Sequence, residues 1–295
     1  MIAEPDDDGR VQSVVVERGP TVLRIALGGQ LRDLRMKKGI TREAAGDAIR
    51  GSHAKISRLE LGRTGFKERD IRDLLTLYGV SDAEERERFL DLARQANEPG
   101  WWHRYSDLLP SWFGTYLGLE QAASKIRTYE AHLVPGLLQT PEYARAVMSL
   151  GYEDADMDRR VQVRIKRQEV LRRAEPPTVW AIIDEAALHR PVGGSRVHRE
   201  QMEHLIELAE LPNVTIQVLP YSAGEHAAAG SSFSILRFAE TELPDIVYLE
   251  HLTSALYLDR RQDLALYLSV MDRLSVQAES PGESLKILAA YAKNA

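Results

Sequence analysis

The sequence predicts an α+β protein in two parts: an all-helical N-terminal bundle of five helices, followed by a larger α/β domain with a mixed sheet. Three observations support this fold class. Apolar residues recur at helical spacing through residues 20–97, strand-type runs are confined to residues 178–250, and an aromatic stretch at residues 98–114 lies between them. The 295 residues, 44% of them hydrophobic, are sufficient for two buried cores.

The composition excludes several classes of site. The chain has no cysteine, so a disulfide framework, a thiolate nucleophile and a cysteine-ligated zinc site are excluded. The first residues, MIAEPDDDGR, are acidic and polar, unlike a secretory signal. No apolar run approaches the roughly 18 residues that a membrane helix needs. We therefore expect a cytoplasmic protein that does not contact a membrane.

Positive charge is concentrated near the N-terminus. Between Pro20 and Val80 the chain has 13 Lys and Arg against 7 Asp and Glu, although its net charge is −6. A basic module attached to an acidic body indicates a polyanionic partner for the module alone.

The N-terminal part is expected to contain a flexible arm, residues 1–19, and a helical domain, residues 20–97. Within the arm, VQSVVVERG has strand character. The helix signals are the apolar face of Leu27–Met36 with its terminating Gly39, the caps Thr41 and Ser52, the apolar positions Ile71, Leu74, Leu75 and Tyr78, and a capping box at Ser81–Glu84.

A connector is expected at residues 98–114. Its sequence, EPGWWHRYSDLLPSWFG, stops the preceding helix and contains three of the four tryptophans. Large aromatic side chains gain most by burial. We therefore expect a packed connector that joins the two domains, with a ligand-stacking role as the alternative.

The C-terminal part, residues 115–295, is expected to be an α/β domain. A helix near residues 200–210 between the first two strand-type runs indicates a parallel crossover, and the short separation of the last two favours antiparallel pairing. The runs are TVWAIID (178–184), NVTIQVLP (213–220), SFSILRF (232–238) and DIVYLE (245–250), and helix signals occur at Thr140-Pro141, in the basic segment Asp158–Arg173 and at Ser280–Glu283.

The segment from Ile40 to Arg63, ITREAAGDAIRGSHAKISRLELGR, has the pattern of a helix-turn-helix. This motif needs two short helices at a fixed angle, the second of which presents polar side chains to the major groove. Gly51-Ser52 is expected to supply the turn and the cap. A plain helical bundle is the alternative, but the basic charge and the cap positions both favour DNA binding.

The N-terminal segment resembles the Xre/lambda-repressor family of helix-turn-helix proteins. The resemblance covers about Leu27 to Tyr78 and rests on LRDLRMKKGIT, on I-S-R-L-E-x-G and on the spacing between them. The family pairs an arginine of the first helix with the glutamate after the recognition helix, which implies a structural pair between Arg35 and Glu60.

Two positions depart from the pattern of that family. Arg42 replaces a glutamine, and Arg50 replaces a glycine of the turn, so we expect the neighbouring Gly51 to take the positive φ. His53 is expected to contact a base and the basic residues to contact phosphates. The full set of expected DNA-binding residues is Arg42, Ser52, His53, Lys55, Ser57, Arg58 and Arg63.

The C-terminal part resembles a domain of unknown function that is common in actinobacterial Xre-type regulators. The resemblance is carried by YEAHLVPGLLQTPEYARAV (129–147), VWAIIDEAALHRPVGG (179–194), NVTIQVLPYSAGEHAAAGSSFSILRF (213–238) and PDIVYLEHLTSALYLD (244–259). The resemblance implies a WhiJ-like regulator, a small partner protein of the BldB type and, for some relatives, an antitoxin-like role. It implies no catalytic residues.

The C-terminal part contains no recognisable catalytic motif. It lacks a G-x-S-x-G elbow and a phosphate-binding loop, and its histidines do not have metal-site spacing. A phospholipase-D-like site would need a His-x-Lys pair, but two alanines follow His226. Asp184-Glu185 is either a carboxylate pair or a strand-end turn. We expect no enzymatic activity, metal or cofactor.

Two further segments have alternative interpretations. The basic segment Asp158–Arg173 is either a solvated helix face or a docking face for an acidic partner or flanking DNA. The loop YSAGEHAAAGSS, residues 221–232, either closes over a ligand or is a plain connector.

Together these patterns predict a nucleoid-associated, sequence-specific transcriptional regulator that binds operator DNA as a homodimer. The C-terminal domain is expected to sense a small molecule or a small partner protein. The alternative is an antitoxin-like interaction module that neutralises a small partner and only regulates its own promoter.

Overall fold

The computed structural model describes residues 19–110, 112–151, 155–228, 231–239 and 243–294. The expected arm, including VQSVVVERG, lies outside these residues except for Gly19. No helix within the described ranges is long and apolar enough to cross a membrane.

The N-terminal part forms the five helices that the sequence predicts. They enclose an apolar core in which Leu27, Ile56 and Ile71 are at most 1% exposed. The last helix is capped by Asp82, whose side chain accepts from the backbone N–H of Glu85, and not by Ser81 as expected. The helices are α1 (Pro20–Lys37), α2 (Arg42–Ala48), α3 (His53–Glu60), α4 (Glu68–Leu77) and α5 (Ala83–Ala96).

Helix α1 begins at Pro20, earlier than the Leu27 that the apolar spacing predicts. Its first turns pack against both parts of the chain: Val22 belongs to the core of the C-terminal part, whereas Leu23 belongs to the N-terminal core. Packing against a distant part of the chain stabilises these turns, and the local apolar pattern does not contain that information.

The aromatic connector packs on the C-terminal part. Trp101–Tyr105 forms a 3-10 turn, and Trp102 and Tyr105 are buried together with Leu117 of α6 (Phe113–Ala122) and Val163. Burial agrees with the expected packed connector. The contact between the two parts, however, is made by α1 against α6.

A mixed six-stranded sheet in the order β3-β2-β1-β4-β5-β6 forms the centre of the C-terminal part. Strands β1, β2 and β3 are parallel, and β4, β5 and β6 are antiparallel to their neighbours. The crossover helix between β2 and β3 and the antiparallel β4–β5 pair confirm the sequence prediction. The strands are β1 (Lys125–Glu130), β2 (Thr178–Asp184), β3 (Val214–Leu219), β4 (Phe233–Arg237), β5 (Ile246–Glu250) and β6 (Ala255–Leu258).

Helices cover both faces of the sheet. On one face, Ile126, Val179 and Ile216 pack against most of the helices. On the other face, Ile182 and Val247 pack against α11 (Arg261–Gln277). In addition to α6, these helices are α7 (Pro141–Met148), α8 (Met157–Arg167), α9 (Glu185–His189), α10 (Ser195–Leu208), α11 (Arg261–Gln277) and α12 (Pro281–Asn294).

The basic segment Asp158–Arg173 makes contacts within the chain that neither of its two interpretations includes. Helix α8 ends at Arg167 and continues as a 3-10 turn through Arg172. Arg167 is buried and forms two hydrogen bonds with Glu120 of α6, at 2.8 and 2.7 Å. Arg173 donates to the backbone carbonyls of Gln121 and Ala123. Much of the positive charge therefore serves contacts within the chain.

Candidate nucleic-acid interface

The angle between α2 and α3 is set by a close backbone approach. A Cβ atom at Gly46 would lie 2.9 Å from the carbonyl carbon of Ser52, so only glycine fits there. The side chains of Thr41 and Ser52 accept from the backbone N–H groups of Ala44 and Lys55, which caps the two helices as predicted.

The turn between the two helices places a side-chain-bearing residue in the left-handed region. Arg50 has φ of +52°, and it is the one such non-glycine residue among those described. The expectation that Gly51 takes the positive φ is therefore wrong, because Arg50 itself occupies the position where the related family has glycine. The exposed Arg50 side chain adds a cation beside α3.

Replacing Arg50 with glycine is expected to raise the free energy of unfolding by about 1 kcal/mol. The left-handed conformation costs a residue with a Cβ about 1–2 kcal/mol, and the larger unfolded-state entropy of glycine removes part of the gain. Denaturant unfolding of the full-length chain measures the change. Arg58→Gly, which removes the same side chain inside α3, should instead destabilise by about 1 kcal/mol. Equal effects of the two variants would contradict the assigned turn geometry.

Helix α3 is held against α1 by a second close approach. A Cβ atom at Gly28 would lie 2.4 Å from the carbonyl oxygen of Leu59. The apolar face of α3, with Ile56 and Leu59 at most 2% exposed, fills the space beside this crossing. The opposite face of α3 is therefore directed away from the bundle.

Two arginines share the buried carboxylate that ends α3. Glu60 has a side chain only 2% exposed and accepts from Arg35, including a 3.2 Å bond from Nη2 to Oε2. Arg42 Nε donates to the same Oε2 at 2.9 Å. The implied Arg35–Glu60 contact is present. Arg42 also binds Glu60, a contact that the sequence did not predict, and its expected phosphate contact stays a prediction. Arg42 therefore links the start of α2 to the end of α3.

Lys55, whose expected contact with DNA stays a prediction, also has a carboxylate partner within the chain. Its Nζ lies 2.5 Å from Oδ2 of Asp70, whose side chain is 1% exposed. This pair ties α3 to the first turn of α4. Sequence reasoning missed Asp70 because no local pattern connects two residues on different helices.

Five of the expected DNA-binding residues lie on the outer side of the motif. His53 and Arg58 of α3 and Arg63 after it are exposed, Ser52 is exposed at the cap, and Ser57 is partly exposed. In the described ranges no carboxylate lies within 4.0 Å of Arg58 or Arg63. An imidazole near the helix N-terminus and two unpaired guanidinium groups can donate to base edges and phosphates.

Both parts of the chain match models of known families. Residues 26–89 match the model of a helix-turn-helix domain. Residues 113–290, more than half of the chain, match the model of a domain of unknown function, DUF5753. The chain belongs to the DUF5753 family. No curated protein and no solved structure matches it. The helix-turn-helix match supports a DNA-binding regulator rather than an enzyme.

In this DUF5753 protein, the carboxylates at the end of β2 have structural partners. Asp184 caps α9 through the N–H of Ala186 and accepts from the Tyr129 hydroxyl at 3.2 Å. Glu185 accepts from the backbone N–H of Tyr221 and from the Tyr291 hydroxyl. These contacts favour the strand-end turn over a carboxylate pair, and they anchor the start of the 221–232 loop.

Proposed function

We propose that this protein is a sequence-specific, DNA-binding transcriptional regulator of the Xre type, whose C-terminal domain senses a small molecule or a small partner protein. One observation carries the proposal: α3 presents His53 and Arg58 on its exposed face. The close approach at Gly28 and the ion pairs that involve Glu60 and Asp70 hold the helix in place. A rigid scaffold with an exposed basic helix suits insertion into the major groove.

The proposed roles of the motif residues follow from their contacts. His53, in the first turn of α3, contacts a base edge, and Arg58 and Arg63 contact phosphates, together with Arg50. Arg42 and Lys55 already have carboxylate partners within the chain. These two residues act mainly by positioning α3, and their contribution to the phosphate contacts is smaller than that of Arg58.

A homodimer is part of the proposal because a single helix-turn-helix spans few base pairs. The C-terminal part supports a homodimer because it has exposed surface that a second copy of the chain could cover. Strand β6 is the last of the sheet, and no described strand pairs with its outer edge. Leu256 on this strand, Leu252 in the turn before it and Leu266 on α11 are more than 45% exposed. A second copy of the chain would bury such an edge and its leucines.

His53→Ala is expected to reduce discrimination between the operator and scrambled DNA by about 1–3 kcal/mol, because one base contact is lost. The operator is sought in the promoter upstream of the gene that encodes this protein. A footprint of the protein on that promoter should show two half-sites about one helical turn apart. Titrations of the full-length protein on both duplexes measure the specificity ratio.

Arg88→Ala is the matched control, since Arg88 is exposed on α5 away from the motif. It should leave the specificity ratio unchanged. An unchanged ratio in His53→Ala would refute the base-reading role. Operator binding that requires a small partner protein would favour the antitoxin-like alternative.

A further inference from the structure

Two arginine side chains of α8 converge on one glycine. A Cβ atom at Gly136 would lie 2.5 Å from Nη1 of Arg164 and 3.3 Å from Nη1 of Arg167. Gly136 begins the short 3-10 turn after β1, within the conspicuous sequence YEAHLVPGLLQT. The guanidinium group of Arg164 occupies the place that a side chain at Gly136 would take, and Nη1 of Arg167 lies beside the same point.

The two arginines differ in how they are neutralised. Arg167 uses Nε and Nη2 for Glu120, and its Nη1 is the group beside Gly136. Arg164 donates one hydrogen bond, from Nη1 to Oε1 of Gln139 at 3.2 Å. No carboxylate oxygen in the described part of the chain lies within 4.0 Å of Arg164.

A partly enclosed arginine without a carboxylate within ion-pair distance is costly, because the charge loses part of its hydration. Burial, and next the charge of Arg167, lowers the pKa of Arg164 to about 10. Arg164 is nevertheless partly exposed, and none of its nitrogen atoms is among the buried side-chain atoms without a partner in the described part of the chain, so its unpaired donors contact solvent. The charged and titratable groups around Arg164 are Arg167, Glu120, Glu130, Glu250 and Tyr116.

The site lies beyond the carboxyl end of β1, because Gly136 follows Glu130, the last residue of this strand, by six residues. Glu130 ends β1, next to the junction at which the parallel strands β3, β2 and β1 meet the antiparallel β4. Crevices beyond the carboxyl ends of strands at such a switch point are common binding sites. This placement is independent of the charge argument.

We propose that Arg164 and Arg167, with Gly136 between them, bind the carboxylate or phosphate group of a small-molecule effector. This inference rests on the sensing role in the proposed function and specifies its ligand class. The free donors of Arg164 form the main contacts with the anion, and Nη1 of Arg167 adds a further donor.

Helix α6 connects this site to the DNA-binding part. Its Glu120 holds Arg167, and its Gly118 lies against Thr21 of α1, where a Cβ atom would be 1.9 Å from Thr21 Oγ1. Because α1 also carries Gly28, on which α3 packs, a continuous series of close contacts runs from Arg167 to the recognition helix.

The test measures melting of the full-length protein in acetate, inorganic phosphate and chloride at matched ionic strength. Phosphate or acetate should raise the melting temperature by about 3 °C at ten times its Kd. Arg164→Gln and Gly136→Ala should abolish this shift. Arg172→Gln, at an exposed arginine just beyond α8, should retain it.

A second readout separates a binding role from a structural one. Without added anion, Arg164→Gln should melt at or above the wild-type temperature, because it removes an enclosed charge that has no counter-ion. A response to phosphate alone would assign a phosphate group, and a response to acetate would assign a carboxylate. No response to either anion at about 100 mM, or a lower melting temperature of Arg164→Gln without anion, would overturn the proposal. Neither result depends on operator binding, which the His53 titration measures separately.

Discussion

Glu60→Ala is expected to lower the free energy of unfolding by about 3–5 kcal/mol. The substitution leaves the buried Arg35 without its carboxylate and releases Arg42 from the end of α3. Because Glu60 connects α1, α2 and α3, operator affinity should fall together with stability. Denaturant unfolding and DNA titration of the full-length variant measure the two effects.

The control for this prediction is Glu68→Ala. Glu68 pairs with Arg72 and Arg94 on the surface, with 46% of its side chain exposed. Exposed pairs contribute little, so a loss below about 1 kcal/mol is expected. Equal losses in the two variants would show that burial of Glu60 is not the source of its effect.

Glu120→Ala is expected to have an effect of similar size in the C-terminal part, about 3–5 kcal/mol. Both side chains of the Glu120–Arg167 pair are at most 6% exposed, so the substitution leaves an uncompensated buried cation. Calorimetry should show the C-terminal part melting earlier.

The double variant Glu120→Leu/Arg167→Met tests the reason for that loss. Apolar residues of similar size remove both charges together, and stability should return to within about 1–2 kcal/mol of the wild type or exceed it. Glu200→Ala, which removes an exposed partner of Arg196, is the matched surface control. A double variant as unstable as Glu120→Ala would refute the explanation that an unpaired buried cation causes the loss of stability.

Much of the fold follows from local patterns in the sequence. The caps Thr41 and Ser52, the terminating Gly39 and the apolar spacing locate the N-terminal helices, since these signals act within one or two turns. Strand-type runs locate β2, β3, β4 and β5 for the same reason. The domain boundaries at residues 97 and 114 stay a prediction.

Strands β1 and β6 and helices α6, α9 and α11 are not predicted from the sequence. β1, KIRTYE, is central in the sheet although half of its residues are charged. The guanidinium group of Arg127 lies 5.4 Å from the centre of the Trp180 ring and pairs with Asp272 of α11. Residues distant in sequence therefore stabilise the charge of Arg127 within the sheet. β6 has only four residues, too few for a periodic signal.

The sequence by itself determined a basic helix-turn-helix followed by an α/β domain, because helix caps, periodicity and charge are local properties. Only the tertiary structure decided which charged residues are available to a ligand. Lys55 and Asp70 are 15 residues apart and Glu120 and Arg167 are 47 apart, yet each pair meets through packing of separate helices. An ion pair depends on distance in space, so Arg42, Lys55 and Arg167 look equally free in the sequence, whereas in the structure each has a carboxylate partner.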